Sequence, residues 1–243
     1  MPVALVTGAS RGLGLALSTA LAGRGWSLII DARGPTALAT AAEALAEAGA
    51  ATVAAIGGDV ADEVHRARLA AEAASAPGGL DLLVNNASLL GPSPQPDLAS
   101  YPLDELARVY AVNTLAPLAL IQLLLPALRR ASGRIIDVTS DAAVEAYEGW
   151  GGYGSSKAAL DQLTAVLAAE QPGLRVYSFD PGDLRTELHQ QAFPGEDISD
   201  RPEPEAAIPA MLRLVTGDLP SGRYRAADLG TRNSPELTAE VPA

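Results

Sequence analysis

The stretch Val3-Ala4-Leu5-Val6-Thr7-Gly8-Ala9-Ser10-Arg11-Gly12-Leu13-Gly14 decides the fold. Four consecutive apolar residues read as a strand buried on both faces, because a half-exposed strand would alternate. A turn with the spacing Gly-x-x-x-Gly-x-Gly follows, and residues 12–23 read as a helix. Glycines allow a tight turn and a close approach of ligand to backbone. The helix start then offers unpaired N–H groups and the positive end of its dipole, which suits a pyrophosphate. Alone, such a turn is as readily an ordinary glycine-rich connection. Its place between strand and helix gives it weight.

The same alternation continues outward. Further strands are expected at 27–31, 52–56, 80–84, 134–138, 174–179 and 224–227. Helices are expected at 35–48, from about 62, and at 103–130, 152–170 and 204–216. Pro117 and Pro126 should kink or end the long helix. Residues 92–102 read as a Pro-rich loop, and residues 185–205 as a polar excursion rich in Pro, Asp and Glu. Repeated strand–helix units with continuous apolar strands imply an α/β fold. We expect one doubly wound domain over residues 1–243, with a seven-stranded parallel sheet and helices on both faces.

Formal charge is −12, from 29 acids against 17 bases. Such a balance disfavours nucleic acid and anionic membrane as partners. There is no cysteine, so no disulfide, thiolate zinc site or thiol nucleophile is available. No run of about 20 apolar residues is evident, so no spanning helix is expected. The chain opens directly into a strand, leaving no room for a leader. A cytoplasmic protein is expected.

Only one residue of the chain is lysine, Lys157, and it stands four places after Tyr153. On a helix, i and i+4 share a face. A phenol and an ammonium would then sit side by side, and the cation would lower the phenol's pKa. That suits a tyrosine acting as acid or base. An isolated pair of this kind is far more often two exposed residues sharing a helix face, and the rest of the chain overturns that reading. Asp59-Val60 and Asn85-Asn86-Ala87 close the third and fourth strands, where ligands lie in an open parallel sheet. Asp59 suits an adenine amino group, and the Asn pair suits bracing the sheet end and touching a ribose. Each is also a plausible cap or turn former. Ser140 closes the fifth strand, Asn113 lies inside the long helix, and Pro181-Gly182-x-x-x-Thr186 follows the sixth strand.

In order and spacing, this series resembles the short-chain dehydrogenases/reductases, core-length branch, over nearly the whole chain. The motifs are Thr7-Gly-x-x-x-Gly-x-Gly14, Asp59, Asn85-Asn86-Ala87, Asn113, Ser140, Tyr153-x-x-x-Lys157 and Pro181-Gly182. One departure is Ser88, where the family commonly has Gly. The resemblance implies a Rossmann-type domain and hydride transfer between a nicotinamide cofactor and a small carbonyl or alcohol. It implies Tyr153 as acid/base, with Lys157 holding the nicotinamide ribose and depressing the tyrosine pKa. Ser140 would polarise the substrate oxygen, and Asn113 would hold a water linking Lys157 to solvent. The implied cofactor contacts are Gly8, Ser10, Arg11, Gly12, Leu13, Gly14, Arg33, Asp59, Val60, Asn86, Ala87, Tyr153, Lys157, Pro181, Gly182, Leu184 and Thr186, with no metal.

In this family an acid usually stands where Ala32 is, to bind the ribose 2′-hydroxyl. Here Arg33 and Arg11 suit a 2′-phosphate instead, so NADP(H) is expected over NAD(H). Asp31 complicates this, being acidic and close. By analogy residues 185–205 form a substrate lid, with Trp150, Leu89, Leu90 and Phe193 shaping the pocket. A homodimer or homotetramer is expected. The alternative is a catalytically silent regulator of the same fold, which would not need Ser140, Tyr153 and Lys157 together.

Overall fold

The computed structural model describes residues 1–230. The remainder of the expected 1–243 domain lies outside the described residues. The strands are β1 (Val3–Val6), β2 (Ser27–Ala32), β3 (Thr52–Gly57), β4 (Leu82–Asn85), β5 (Arg134–Val138), β6 (Arg175–Asp180) and β7 (Gly222–Arg225). They form one sheet of order β3-β2-β1-β4-β5-β6-β7, and every pairing is parallel. The order reverses between β1 and β4. Loops leaving those two strands diverge to opposite faces and open a crevice at the strands' C-terminal ends.

The helices are α1 (Gly12–Ala22), α2 (Pro35–Glu47), α3 (Glu63–Ala74), α4 (Leu103–Tyr110), α5 (Ala116–Ala131), α6 (Gly151–Glu170), α7 (Glu187–Ala192), α8 (Ile208–Thr216) and α9 (Ala226–Gly230). Alternate strand residues face opposite layers. Val6, Ile30, Val84, Ile136 and Phe179 pack with Leu17 of α1, Leu45 of α2 and Met211 of α8. Leu5, Ile29, Leu83, Ile135 and Val176 pack with Leu69 of α3, Leu124 of α5 and Leu167 of α6. Burial on both faces explains why these strands read as unbroken apolar runs.

Several expectations need correction. The helix expected at 103–130 is interrupted by a π-helical turn at Ala111–Leu115, not by proline. Pro117 comes just after the π-turn, and the helical run continues through it. Pro126 lies inside α5, which continues to Ala131 because Leu120, Leu124 and Leu128 hold it on the sheet. The continuous helical run Leu103–Ala131 is also long and apolar enough to cross a membrane, contrary to the reading of the sequence. Half of its most apolar window is buried within the protein, and it serves as a core helix. The 185–205 excursion contains α7, started by Thr186, whose hydroxyl accepts the His189 N–H at 3.2 Å. The last strand begins two residues earlier than expected.

Candidate active site

A cavity of about 1540 Å³ runs along the C-terminal ends of the strands. That exceeds the roughly 300–1,000 Å³ of a pocket for one drug-sized ligand. One end is formed by the turn between β1 and α1. Gly8 has φ +64°, and a Cβ there would lie 2.9 Å from the Ala87 Cα. The turn is therefore drawn against the loop that leaves β4. Asn86 fastens the two together, its amide nitrogen donating to the carbonyls of Thr7 (2.8 Å) and Gly8 (3.1 Å). The Thr7 hydroxyl accepts the N–H groups of Asn86 and Ala87, each at 3.0 Å. Arg11, at the N-cap of α1, offers no side-chain acceptor to the first helical N–H groups. An uncapped helix start beside an open backbone turn fits a dinucleotide pyrophosphate.

Beside that turn, Asp31 of β2 is 1% exposed and both its carboxylate oxygens are occupied. Oδ1 accepts the Gly8 N–H at 2.8 Å, and Oδ2 meets His65 Nε2 at 2.9 Å. Arg33 stands exposed at the cavity rim. Asp59 turns one oxygen to the Ala61 N–H (2.9 Å), and Val60 is buried beside it.

At the other end, α6 packs closely on the turn that follows Ser140. Gly154 permits that approach, since a Cβ there would lie 2.5 Å from the Ala142 carbonyl. Tyr153 is 6% exposed, and burial pushes its phenol up to about 12. A hydrogen bond from Ser88 acts in the opposite direction, while Asp180 and Asp141 add to the rise. Lys157 is buried, with its ammonium donating to the Val138 carbonyl at 2.8 Å and lying 5.6 Å from the Tyr153 ring centroid. Burial lowers Lys157 to about 8, and Asp137 and Asp161 oppose that fall. The two side chains are thus neighbours, but the phenol is not acidified. The expected depression of the Tyr153 pKa by Lys157 is absent because desolvation dominates.

The Ser140 hydroxyl donates to Asp141 Oδ1 at 2.9 Å and accepts the Ala142 N–H at 3.2 Å. It must release Asp141 before it can donate to a substrate. Asn113, in the π-turn, is fully buried. Its Oδ1 accepts from the Leu89 N–H (2.8 Å) and Ser88 hydroxyl (3.2 Å), and its Nδ2 donates to the Leu89 carbonyl (2.9 Å) and Ser156 hydroxyl (3.0 Å). An amide has four such bonds to make, and all four are made. The water-holding role expected of Asn113 therefore does not fall to its side chain, which ties the 88–89 loop to α6.

Ser10, Arg11, Gly12, Leu13, Ala87, Pro181, Gly182, Leu184 and Thr186 line the cavity with Gly8, Arg33, Asp59, Val60, Asn86, Ser140, Tyr153 and Lys157. Gly14 and Asn113 do not line it. Gly14 instead packs on Asn86 and Gly8, where a Cβ would lie 2.5 Å from the Asn86 amide. Arg11 is turned to an ion pair with Glu187 of α7, so its guanidinium is not free for a phosphate. Sequence reasoning missed Asp137, a fully buried carboxylate pushed up to about 6 by desolvation, to which Asn85 and Thr164 each donate at 2.7 Å. It also missed Arg223, which donates to the Ser140 carbonyl at 2.9 Å. A charge within the apolar run Arg134–Val138 was the visible signal for the first. Nothing local signalled the second.

The family model for short-chain dehydrogenases matches residues 2–197. The chain belongs to that family, as an α/β NAD(P)-binding oxidoreductase fold with its site at the sheet's C-terminal edge. It is 34% identical over 248 residues to the rhamnolipid-biosynthesis 3-oxoacyl-[acyl-carrier-protein] reductase of Pseudomonas aeruginosa, covering 94% of this chain and 95% of that one. It is 35% identical over 201 residues to sepiapterin reductase of Mus musculus, covering 78% and 77%. Among solved structures it resembles a short-chain dehydrogenase from Shigella flexneri complexed with NADP, with a TM-score of 0.86, 29% identity and coverage of 93% and 97%.

Proposed function

We propose that this chain interconverts a carbonyl compound and its alcohol using NADP(H). The observation that carries the reading is a single cavity joining the β1–α1 glycine turn to Ser140, Tyr153 and Lys157. The nicotinamide, when bound, supplies or accepts the hydride. In reduction the carbonyl carbon gains that hydride, and Tyr153 passes its phenolic proton to the oxygen. Ser140, swung from Asp141, donates a hydrogen bond to the same oxygen and stabilises its developing charge. Lys157 keeps its ammonium 5.6 Å from the Tyr153 ring centroid, where it would hold the nicotinamide ribose.

Preference for NADP(H) is supported by Asp31. The acid that ordinarily claims the ribose hydroxyls and repels a 2′-phosphate usually stands at the position of Ala32, and Asp31 is its acidic neighbour. Here both oxygens are held by Gly8 and His65. Arg33 is left as the charged group at the rim, and a relative of 29% identity is complexed with NADP. Residues 185–205 act as the lid in this reading, with the Arg11–Glu187 pair joining lid to glycine turn. A homodimer or homotetramer is supported by exposed Leu123 on α5 and Val166 on α6. Light scattering tests that assembly, and a monomer refutes it.

Tyr153→Phe is the deciding variant. NADPH should bind within a few-fold of the parent while turnover falls on the order of 10² to 10⁴. Turnover within tenfold of the parent refutes the assignment. A kcat/KM favouring NADH over NADPH refutes the cofactor choice alone.

A further inference from the structure

We propose that the carbonyl substrate carries an uncharged aromatic ring, seated against Trp150 beside Tyr153. This inference rests on the hydride-transfer reading above. The chain is poor in aromatics, with 2 Trp, 6 Tyr and 2 Phe in 243 residues. Four of those ten gather at one place, with Trp150 as the hub. Its ring lies 5.9 Å from Tyr153 at 75°, 6.4 Å from Tyr147 at 68°, and 5.9 Å from Phe193 at 48°. Such tilted and edge-on pairs are the arrangement that aromatic quadrupoles favour.

The cluster is not needed to hold the sheet. Trp150 and Leu188 join Leu90, Ala142 and Tyr153 in a small apolar group separate from the two layers that sandwich the strands. Trp150 and Leu188 are only partly buried there, and both line the cavity. Apolar surface is thus left open beside the proton donor, where Trp150 and Tyr153 face the cavity and Tyr147 and Phe193 back Trp150 from outside it. A planar ring on the carbonyl compound covers that surface and adds a further ring-to-ring contact. An alkyl chain supplies only the area.

Charge narrows the class further. Asp141, next to Ser140, lines the cavity, as do Asp183 and Glu187. The nearby cations Arg11 and Arg185 are already paired with Glu187 and Glu203. A carboxylate or phosphate on the substrate would meet acids with no free cation supplied by these arginines. The geometry therefore favours an uncharged aryl ketone, with an aryl carbinol as product.

The test uses the full chain with NADPH, acetophenone and 2-octanone, two methyl ketones of equal carbon count. We expect kcat/KM for acetophenone to exceed that for 2-octanone on the order of tenfold, the scale of one or two aromatic contacts. Trp150→Leu should pull that ratio towards one through a higher KM for acetophenone. Trp150→Phe, which keeps a ring, should retain the preference and separates lost stacking from a damaged fold. A parent enzyme that reduces 2-octanone as well as acetophenone overturns the inference and leaves hydride transfer standing. So does a ratio unchanged in Trp150→Leu. If NADPH binds but neither ketone is reduced, the hydride-transfer reading falls, and this inference with it.

Discussion

His65 Nε2 and Asp31 Oδ2 meet 2.9 Å apart in the interior, with the two residues 3% and 1% exposed. The contact reaches the cofactor end of the cavity through Asp31. That carboxylate also accepts the Gly8 N–H, and the Asp31 carbonyl accepts the Ala9 N–H at 2.9 Å. The imidazole fits only because residue 58 is glycine, where a Cβ would lie 2.2 Å from His65 Nδ1. His65→Leu should destabilise the protein by about 1–3 kcal/mol, the usual cost of stranding a buried polar partner. Gly58→Ala should cost a similar amount by expelling the ring. Both should also reduce the NADPH-to-NADH ratio of kcat/KM, because Asp31 is released. Urea unfolding and paired cofactor kinetics read the two effects. An unchanged ratio in a destabilised His65→Leu protein would show the pair to be structural only.

Asp137 and Lys157 give stability a pH dependence of opposite slopes. Burial raises the folded-state pKa of Asp137 from an ordinary 3.8 to about 6. Between those values the folded chain holds a proton that the unfolded chain has released. Asp137's contribution is therefore complete below about 4 and is lost as pH rises through about 6. Lys157 is lowered from 10.5 to about 8, so its contribution is present above 10.5 and is lost as pH falls through about 8. Each slope is at most about 1.4 kcal/mol per pH unit. In chemical-denaturation series from pH 4 to 6, Asp137→Asn should remove the acid-side decline relative to the parent. Parallel curves for parent and variant would count against this account.

Arg223 joins three elements under the site. Its Nε donates to Asp161 of α6 at 3.1 Å, and its Nη2 donates to the Ser140 carbonyl at 2.9 Å and to Asp180 of β6 at 3.2 Å. It acts on chemistry through Ser140 and Asp180, and so it is a positioning residue. Arg223→Met should lower kcat on the order of tenfold with KM less affected, because a small displacement of a hydrogen-bonding group is costly in the transition state. Arg223→Lys should restore part of the loss. A rise in KM together with the fall in kcat, with no rescue by lysine, would indicate general loosening instead.

The layers of this fold were legible because strands buried on both faces leave continuous apolar runs. Val3–Val6 and Arg134–Val138 were placed without error for that reason. The break in the long helix was misplaced because proline is a local signal and the π-turn is not. That extra residue at Ala111–Leu115 is where Asn113 reaches Leu89 and Ser156, contacts made 24 and 43 residues away in the chain. Residue types around the cavity were legible too, since the glycine turn, Asp59, Asn85-Asn86, Ser140 and Pro181-Gly182 follow strand ends and Tyr153 and Lys157 share a helix face. Their charge states were not. Tyr153 beside Lys157 suggested an acidified phenol, whereas desolvation by the surrounding fold raises it to about 12. Burial of this kind is set by tertiary packing and leaves no trace in local spacing.

Ser88 is where that raised phenol is open to test. Its hydroxyl donates to Asn113 Oδ1 at 3.2 Å, and the same side chain pulls the Tyr153 pKa down against burial. Asn113 Oδ1 already holds the shorter 2.8 Å bond from Leu89, so the Ser88 proton can turn to a phenolate without stranding the amide. Ser88→Ala removes that support and should raise the phenol further. In the direction of alcohol oxidation Tyr153 must be ionised to accept a proton. The rate should therefore climb with pH along a limb shifted upward in the variant, with kcat several-fold lower near pH 8. At high pH the two proteins should converge. A purely steric role for Ser88 would instead lower the high-pH plateau and leave the position of the limb unchanged.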